Sequence, residues 1–163
     1  MGHSDNKKEL YEEVVLQLKG LFEDCHHVVA NLSNASAVLN QAMKEINWVG
    51  FYQMEEGQLV LGPFQGKAAC VEIQVGRGVC GTAVEKDEIQ LVKNVHEFPG
   101  HIACDSASNS EIVLPIHKDG KVWGVLDIDS PLLGRFDEED REGLVEVVKV
   151  IEEMLIYSGN DLS

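Results

Sequence analysis

The sequence predicts an α+β fold: one central, mainly antiparallel sheet flanked by N- and C-terminal helices. Three observations predict it. Long helical periodicity sits at the two ends of the chain, with one short helical stretch between. The interior reads as short strands separated by Gly-containing turns, among them Glu55-Glu56-Gly57 and Lys118-Asp119-Gly120. Strands and helices do not alternate regularly, which argues against a doubly wound parallel sheet. At 163 residues the chain is expected to be a single domain, 1–163, long enough for a sizeable core.

Residues 5–22 form an amphipathic helix in this reading, with Leu10, Val14, Leu18 and Leu21 inward. A second helix covers 27–46, with Val28, Leu32, Ala35, Leu39 and Met43 on one face. Strands begin at Asn47. In W-V-G-F-Y-Q-M, Trp48, Gly50 and Tyr52 share one face and Val49, Phe51 and Gln53 the other. No large side chain lies between Trp48 and Tyr52, so the pair is either ordinary sheet packing or an aromatic wall with room beside Gly50 for a ligand. Gln58–Leu61 returns as the next strand and ends at Gly62-Pro63; V-E-I-Q-V is the third. Gly76-Arg77-Gly78 turns the chain into a short helix, Val79–Lys86, with Cys80 in its first turn. The positive helix end there stabilises a thiolate, although a small residue packed beneath a glycine turn fits equally.

Ile89–Val95 is a short strand, and S-E-I-V-L-P-I-H and K-V-W-G-V-L-D-I-D form a hairpin. A two-residue Asp119-Gly120 turn would set Glu111 opposite Ile128, on the face away from Asp127 and Asp129. A three-residue Lys118-Asp119-Gly120 loop pairs His117 with Lys121 and Glu111 with Asp127, gathering the three carboxylates on one face; that register is the expectation. Asp137 is an N-cap, and the last helix runs to about Tyr157 with Leu144, Val147, Val148, Ile151 and Leu155 inward.

Net charge is −15, from 28 acidic and 13 basic residues, and the basic residues form no patch; nucleic acid and anionic membranes are excluded as partners. No apolar run approaches the ~18 residues of a membrane span. The N-terminus shows no apolar signal region, and Asn6 breaks the myristoylation pattern, so the expected location is the cytosol.

The chemistry gathers in H-E-F-P-G-H-I-A-C-D-S-A-S-N-S-E, residues 96–111, a poor helix and a poor strand that carries a cysteine, two histidines and three carboxylates. A thiol is nucleophilic only as thiolate, and a polar, partly exposed loop suits that state, which puts Cys104 at the centre. The other cysteines are Cys25, Cys70 and Cys80, with no C-x-x-C pair. A zinc site built from Cys70, Cys80 and Cys104 with His96 or His101 is open, and nothing in the spacing favours it. Asp127 and Asp129 share a face two residues apart, so at least one pKa is raised, and a carboxyl still protonated near neutrality is a general acid. Metal binding by Glu111, Asp127 and Asp129 is a further alternative that nothing in the sequence selects. A cysteine peptidase would draw a base from His96, His101 or His117, but has no use for extra thiols. Reduction has: one cysteine becomes sulfenic acid and another closes a disulfide that an external dithiol opens. A sulfoxide fits as substrate, because its oxygen must be protonated to leave.

The segments N-W-V-G-F-Y, L-V-L-G-P-F-Q-G-K-A-A-C, V-G-R-G-V-C-G-T-A-V, G-H-I-A-C-D-S-A-S-N-S-E-I-V-L-P and G-V-L-D-I-D-S strongly resemble the free methionine-(R)-sulfoxide reductases, over about residues 28–157. The resemblance implies a GAF-like fold, an antiparallel sheet with helices packed on one side. It implies reduction of free methionine (R)-sulfoxide with no bound cofactor and with thioredoxin as external reductant. Cys104 matches the cysteine that attacks the sulfoxide sulfur, Cys70 the principal resolving cysteine, and Cys80 a third that relays or substitutes. Glu111, Asp127 and Asp129 match the carboxylates that bind the substrate's polar groups and supply the proton; Trp48 and Tyr52 match the aromatic wall at its methyl and thioether end. Cys25 lies outside the pattern. The loop from His96 to Ser110 would be the lid. A GAF domain that senses a metabolite or a redox state without turnover is the competing class. A homodimer face on the terminal helices, or their use in covering the sheet, is left open.

Overall fold

The computed structural model describes residues 6–100 and 107–158. Helix α1 spans Lys7–Phe22 and buries Tyr11, Val14, Leu18 and Phe22 at 3-4-4 spacing. Val14 and Leu18 are inward as expected, but the ends differ: Tyr11 and Phe22 lead and close the stripe, Leu10 is only half-buried and Leu21 is exposed. Helix α2, Val28–Ala42, buries all the expected apolar positions but stops earlier than 46, where extended Met43 returns its N–H to the Leu39 carbonyl at 2.9 Å. The Ser33 and Ser36 hydroxyls donate to the carbonyls four residues back, so they do not break the helix.

Six strands follow: β1 Trp48–Glu55, β2 Gln58–Gly66, β3 Glu72–Gln74, β4 Gln90–Val92, β5 Ser110–Lys118 and β6 Lys121–Ser130. Helix α3, Gly78–Lys86, links β3 to β4, and α4, Glu138–Ser158, closes the described chain. The sheet order is β3-β2-β1-β6-β5-β4, with every neighbouring pair antiparallel. Strand alternation splits it into two faces. Val49, Phe51, Ile112, Leu114, Ile116, Leu126 and Ile128 pack into one core with α1, α2 and α4. Trp48, Tyr52, Leu59, Ile73, Val113 and Val125 point the other way and pack with Val79, Cys80 and Ala83 of α3. The helices are thus not all on one side, as the resemblance implied: α3 covers the second face, and the functional groups lie beneath it.

Strand β2 does not end at Gly62-Pro63. The register slips between Gly50 and Tyr52, so Gly62 and Pro63 both lie opposite Phe51, and pairing resumes at Phe64. A proline that lacks an N–H is tolerated at such a bulge.

The β5–β6 hairpin corrects the expected register. The turn is the two-residue Asp119-Gly120, with φ of 55° and 78°, and Lys118 faces Lys121. A bulge then leaves Trp123 unpaired, since His117 faces Val122 and Ile116 faces Gly124. That extra residue shifts the remaining ladder by one. Glu111 comes to lie opposite Asp129, not Asp127 and not Ile128, while Val113 lies opposite Asp127. The three carboxylates still share one face, by a route other than the one expected.

Asp137 and Asp140 cap α4 reciprocally: the Asp140 N–H donates to Asp137 Oδ1 at 3.1 Å, and the Asp137 N–H to Asp140 Oδ2 at 2.9 Å. Buried Asp140 also accepts from Tyr11 Oη at 2.6 Å, Lys7 Nζ at 2.9 Å and Arg135 Nη1 at 3.4 Å, pinning α1 to the start of α4. Replacing Asp140 with Ala strands these donors. The expected cost is about 3–5 kcal/mol of unfolding free energy, read from urea midpoints.

Candidate active site

The site is laid out by strand register. Across three adjacent strands one row reads Trp48 on β1, Asp129 on β6 and Glu111 on β5. The next row reads Gly50, Asp127 and Val113, and the third Tyr52, Val125 and Pro115. Two aromatics therefore stand on β1 beside carboxylates on β6 and β5, all under α3. Trp48 and Tyr52 stack at 5.9 Å between centroids. A third ring, Phe64 of β2, stacks on Trp48 at 5.1 Å and was not anticipated. The room expected beside Gly50 belongs to Phe64: a Cβ on Gly50 would collide with Phe64 Cβ. The signal was present in the alternation Gly62, Phe64, Gly66, but Gly62-Pro63 reads as a strand end.

The wall also holds the chain that carries Cys70. Trp48 Nε1 donates to the Lys67 carbonyl at 3.0 Å, and Tyr52 Oη donates to the Cys70 carbonyl at 3.2 Å. Burial, then the charges of Asp127, Cys80, Asp129 and Glu111, raise the Tyr52 phenol, so it stays a neutral donor. Cys70 is disulfide-bonded, while Cys25 and Cys80 are free thiols. A disulfide-bonded Cys70 is no zinc ligand, which removes the Cys70-containing zinc site for this state.

Glu111, Asp127 and Asp129 are at most 9% exposed. Burial, followed by the negative charges of Asp127 and Asp129, holds the Glu111 carboxyl well above the ordinary carboxylate range. Asp127 is raised by burial, against hydrogen bonds from Glu111, Asp129 and Cys80 that favour its ionised form. Glu111 is the carboxyl with the stronger reason to keep a proton.

Cys80 does lie in the first turn of α3, but not as a thiolate. Burial first, then Asp127, Glu111 and Asp129, push its thiol well up, and Sγ donates to Asp127 Oδ2 at 3.4 Å. Three buried carboxylates outweigh the half-charge of a nine-residue helix.

Of the candidate histidines in the described residues, His117 stands away from the cluster. His117 lies six residues along β5 from Glu111, about 20 Å at 3.3 Å per residue, and bridges Asp87 and Glu152 at 2.6 and 3.2 Å. His96 Nε2 is bonded to Asn109 Oδ1 at 2.8 Å. Cys104 and His101 lie outside the described residues, as does the middle of the expected lid. The ends of that loop are joined: the Val95 N–H donates to the Asn109 carbonyl at 2.9 Å. Its downstream end is fastened by Asn47 Nδ2 to Ser108 Oγ at 3.1 Å and by Ser110 Oγ to the Leu132 carbonyl at 2.5 Å. Among the described residues no helix is long and apolar enough to cross a membrane.

The chain matches the GAF domain family over residues 32–155. It is 51% identical over 150 residues to the free methionine-R-sulfoxide reductase of Escherichia coli, covering 92% of this chain and 91% of that one. Among solved structures, the reduced form of fRMsr of Staphylococcus aureus superposes with a TM-score of 0.87 at 56% identity, over 89% of this chain and 94% of that one. The free methionine-R-sulfoxide reductase of Neisseria meningitidis, in complex with its substrate, gives a TM-score of 0.92 at 45% identity, over 96% and 95% of the two chains.

Proposed function

The chain belongs to the free methionine-(R)-sulfoxide reductase family of GAF domains, and on that premise we propose that it reduces free methionine (R)-sulfoxide through Cys104. The Cys104 thiolate attacks the sulfoxide sulfur while Glu111 gives its proton to the departing oxygen. Methionine leaves and Cys104 is left as sulfenic acid. The Cys70 thiol condenses with it, releasing water and forming a disulfide, which thioredoxin reduces by thiol exchange. Asp127 and Asp129 receive the substrate ammonium, and Trp48 and Tyr52 flank its thioether end. The observation that carries this reading is the buried acid cluster beside an aromatic wall whose Tyr52 holds a disulfide-bonded Cys70. Pairing of Cys70 with Cys104 is the assignment that the family resemblance implies, and a disulfide-bonded Cys70 is compatible with it. The buried, protonated Cys80 thiol suits a reserve role rather than first resolution.

The cycle needs reduced thiols, so we assign the protein to the cytosol. We assign a homodimer face to the terminal helices, where Leu16 of α1 and Ile156 and Tyr157 of α4 are exposed; sedimentation velocity at micromolar protein tests it.

Oxidation of NADPH in the presence of thioredoxin and its reductase is the direct assay. Turnover is expected with the free (R) sulfoxide, and not with the (S) form or a sulfoxide-containing peptide. Tight binding of the (R) sulfoxide without NADPH oxidation would overturn the enzyme in favour of a sensor. Tyr52→Phe removes one hydrogen bond worth about 0.5–1.5 kcal/mol from the Cys70 segment. Disulfide formation is expected to slow roughly 3–10-fold by the same measure, with sulfenic acid accumulating in single turnover while its formation rate is unchanged.

A further inference from the structure

We propose that Cys80, Glu111 and Asp127 together form a binding site for a thiophilic divalent cation, Zn²⁺ above all, which enters where the substrate ammonium would sit and blocks turnover. One Sγ and two carboxylate oxygens from these residues lie within 4.8 Å of one another, all buried. Cys80 Sγ and Asp127 Oδ2 are already 3.4 Å apart. Zinc bonds of about 2.3 Å to sulfur and 2.0 Å to oxygen at a tetrahedral angle span an edge of about 3.5 Å. The pair is thus spaced for one ion without moving the backbone of α3 or β6.

A second observation is independent of that spacing. Asp127 is only 5% exposed, and its Oδ1 has no hydrogen-bond partner among the described residues. A buried carboxylate whose only side-chain partners are other acids and a thiol, with one oxygen outside the hydrogen bonds, calls for a cation. Among the described residues no Lys, Arg or His forms an ion pair with Glu111 or Asp127. The donor set decides which cation. Mg²⁺ and Ca²⁺ take six or more oxygens and reject a thiol, whereas sulfur plus carboxylate with a water in the fourth position suits Zn²⁺ and its softer analogue Cd²⁺. Binding releases the Cys80 thiol proton and the Glu111 carboxyl proton, so it strengthens as pH rises.

Only the claim of competition rests on the reductase reading; the site itself does not. The test uses the full-length protein in its disulfide form, which cannot turn over, in a Cys25→Ser background. Zn²⁺ is titrated calorimetrically, and Cd²⁺ by its thiolate charge-transfer band in the near ultraviolet. One ion per chain and a thiolate band are expected. Cys80→Ser and, separately, Asp127→Asn should each weaken binding by at least ~100-fold, beyond the roughly 10–100-fold lost with an outer-shell partner. Circular dichroism confirms the fold of each, and Glu111→Gln substitutes for a variant that misfolds. Saturating free methionine (R)-sulfoxide should displace the ion from the otherwise unaltered site. A missing Cd²⁺–thiolate band, unchanged affinity in both variants, or indifference to the sulfoxide overturns the proposal. Metal-free NADPH oxidation is measured separately: a protein that reduces the sulfoxide but takes no Zn²⁺ sinks this inference alone, and one that takes Zn²⁺ but reduces nothing sinks the reductase reading.

Discussion

Serine at position 104 should abolish turnover, by on the order of 10⁴-fold or more, while leaving the protein folded and able to bind its substrate. A serine hydroxyl is not ionised near neutrality and cannot pass through a sulfenic acid, so neither the attack on sulfur nor the disulfide step has a substitute. The site that receives the ligand is built elsewhere: Trp48, Tyr52, Glu111, Asp127 and Asp129 are positioned by the β1, β5 and β6 ladders. Calorimetric titration with free methionine (R)-sulfoxide should therefore still report binding in Cys104→Ser when NADPH oxidation has gone. Residual turnover at even a tenth of the parent rate would move the nucleophile to another cysteine.

The second large effect is expected at Glu111. Glu111→Gln keeps the shape and the buried hydrogen bonds but has no acidic proton, and kcat should fall by about 10²–10⁴-fold. Its pH signature follows from the direction of the shift. The carboxyl is held well above the ordinary range, so it keeps its proton to higher pH than an ordinary glutamate and loses it as pH rises through the raised value. In the parent protein kcat should fall on the alkaline side; in the Gln variant that limb should vanish. Stability is expected to fall over the same pH window. A carboxyl whose folded pKa lies above its unfolded value contributes stability that is fully present below the unfolded pKa and disappears as pH rises through the folded one. Above that window the amide relieves the cost, so Glu111→Gln should raise the thermal midpoint at alkaline pH while costing activity. A variant that is both slower and less stable there would mean that Glu111 serves the fold rather than the proton.

Much of the fold was legible because periodicity reports burial. The inward stripes of α2 and α4 are those expected, and the alternation W-V-G-F-Y assigns Trp48 and Tyr52 to one face and Val49 and Phe51 to the other. At α1 the two ends of the stripe were each displaced by one residue because Leu10 and Tyr11, and likewise Leu21 and Phe22, are adjacent apolar pairs that hydropathy alone cannot rank. The site carboxylates were legible as a set, but not their pairing. A bulge such as the one at Trp123 leaves no mark in a sequence whose turn residues fit both hairpins. Phe64 was hidden for a related reason, since Pro63 looks like a terminator and is in fact a bulge residue. Cys80 stayed undecided between thiolate and packed residue because a helix N-terminus is visible in sequence, whereas the acids that oppose it arrive from strands more than thirty residues away in the chain.

The unpaired Trp123 has a consequence for how this hairpin can vary. Because side chains alternate along a strand, the bulge acts as a parity bit between the turn and the acidic half of the ladder. Pairing Trp123 with Ile116, with no residue left over, would put Ile128 across from Glu111 and turn Asp127 and Asp129 to the opposite face. The one extra residue in this segment is therefore what keeps Glu111, Asp127 and Asp129 on a single face of the sheet.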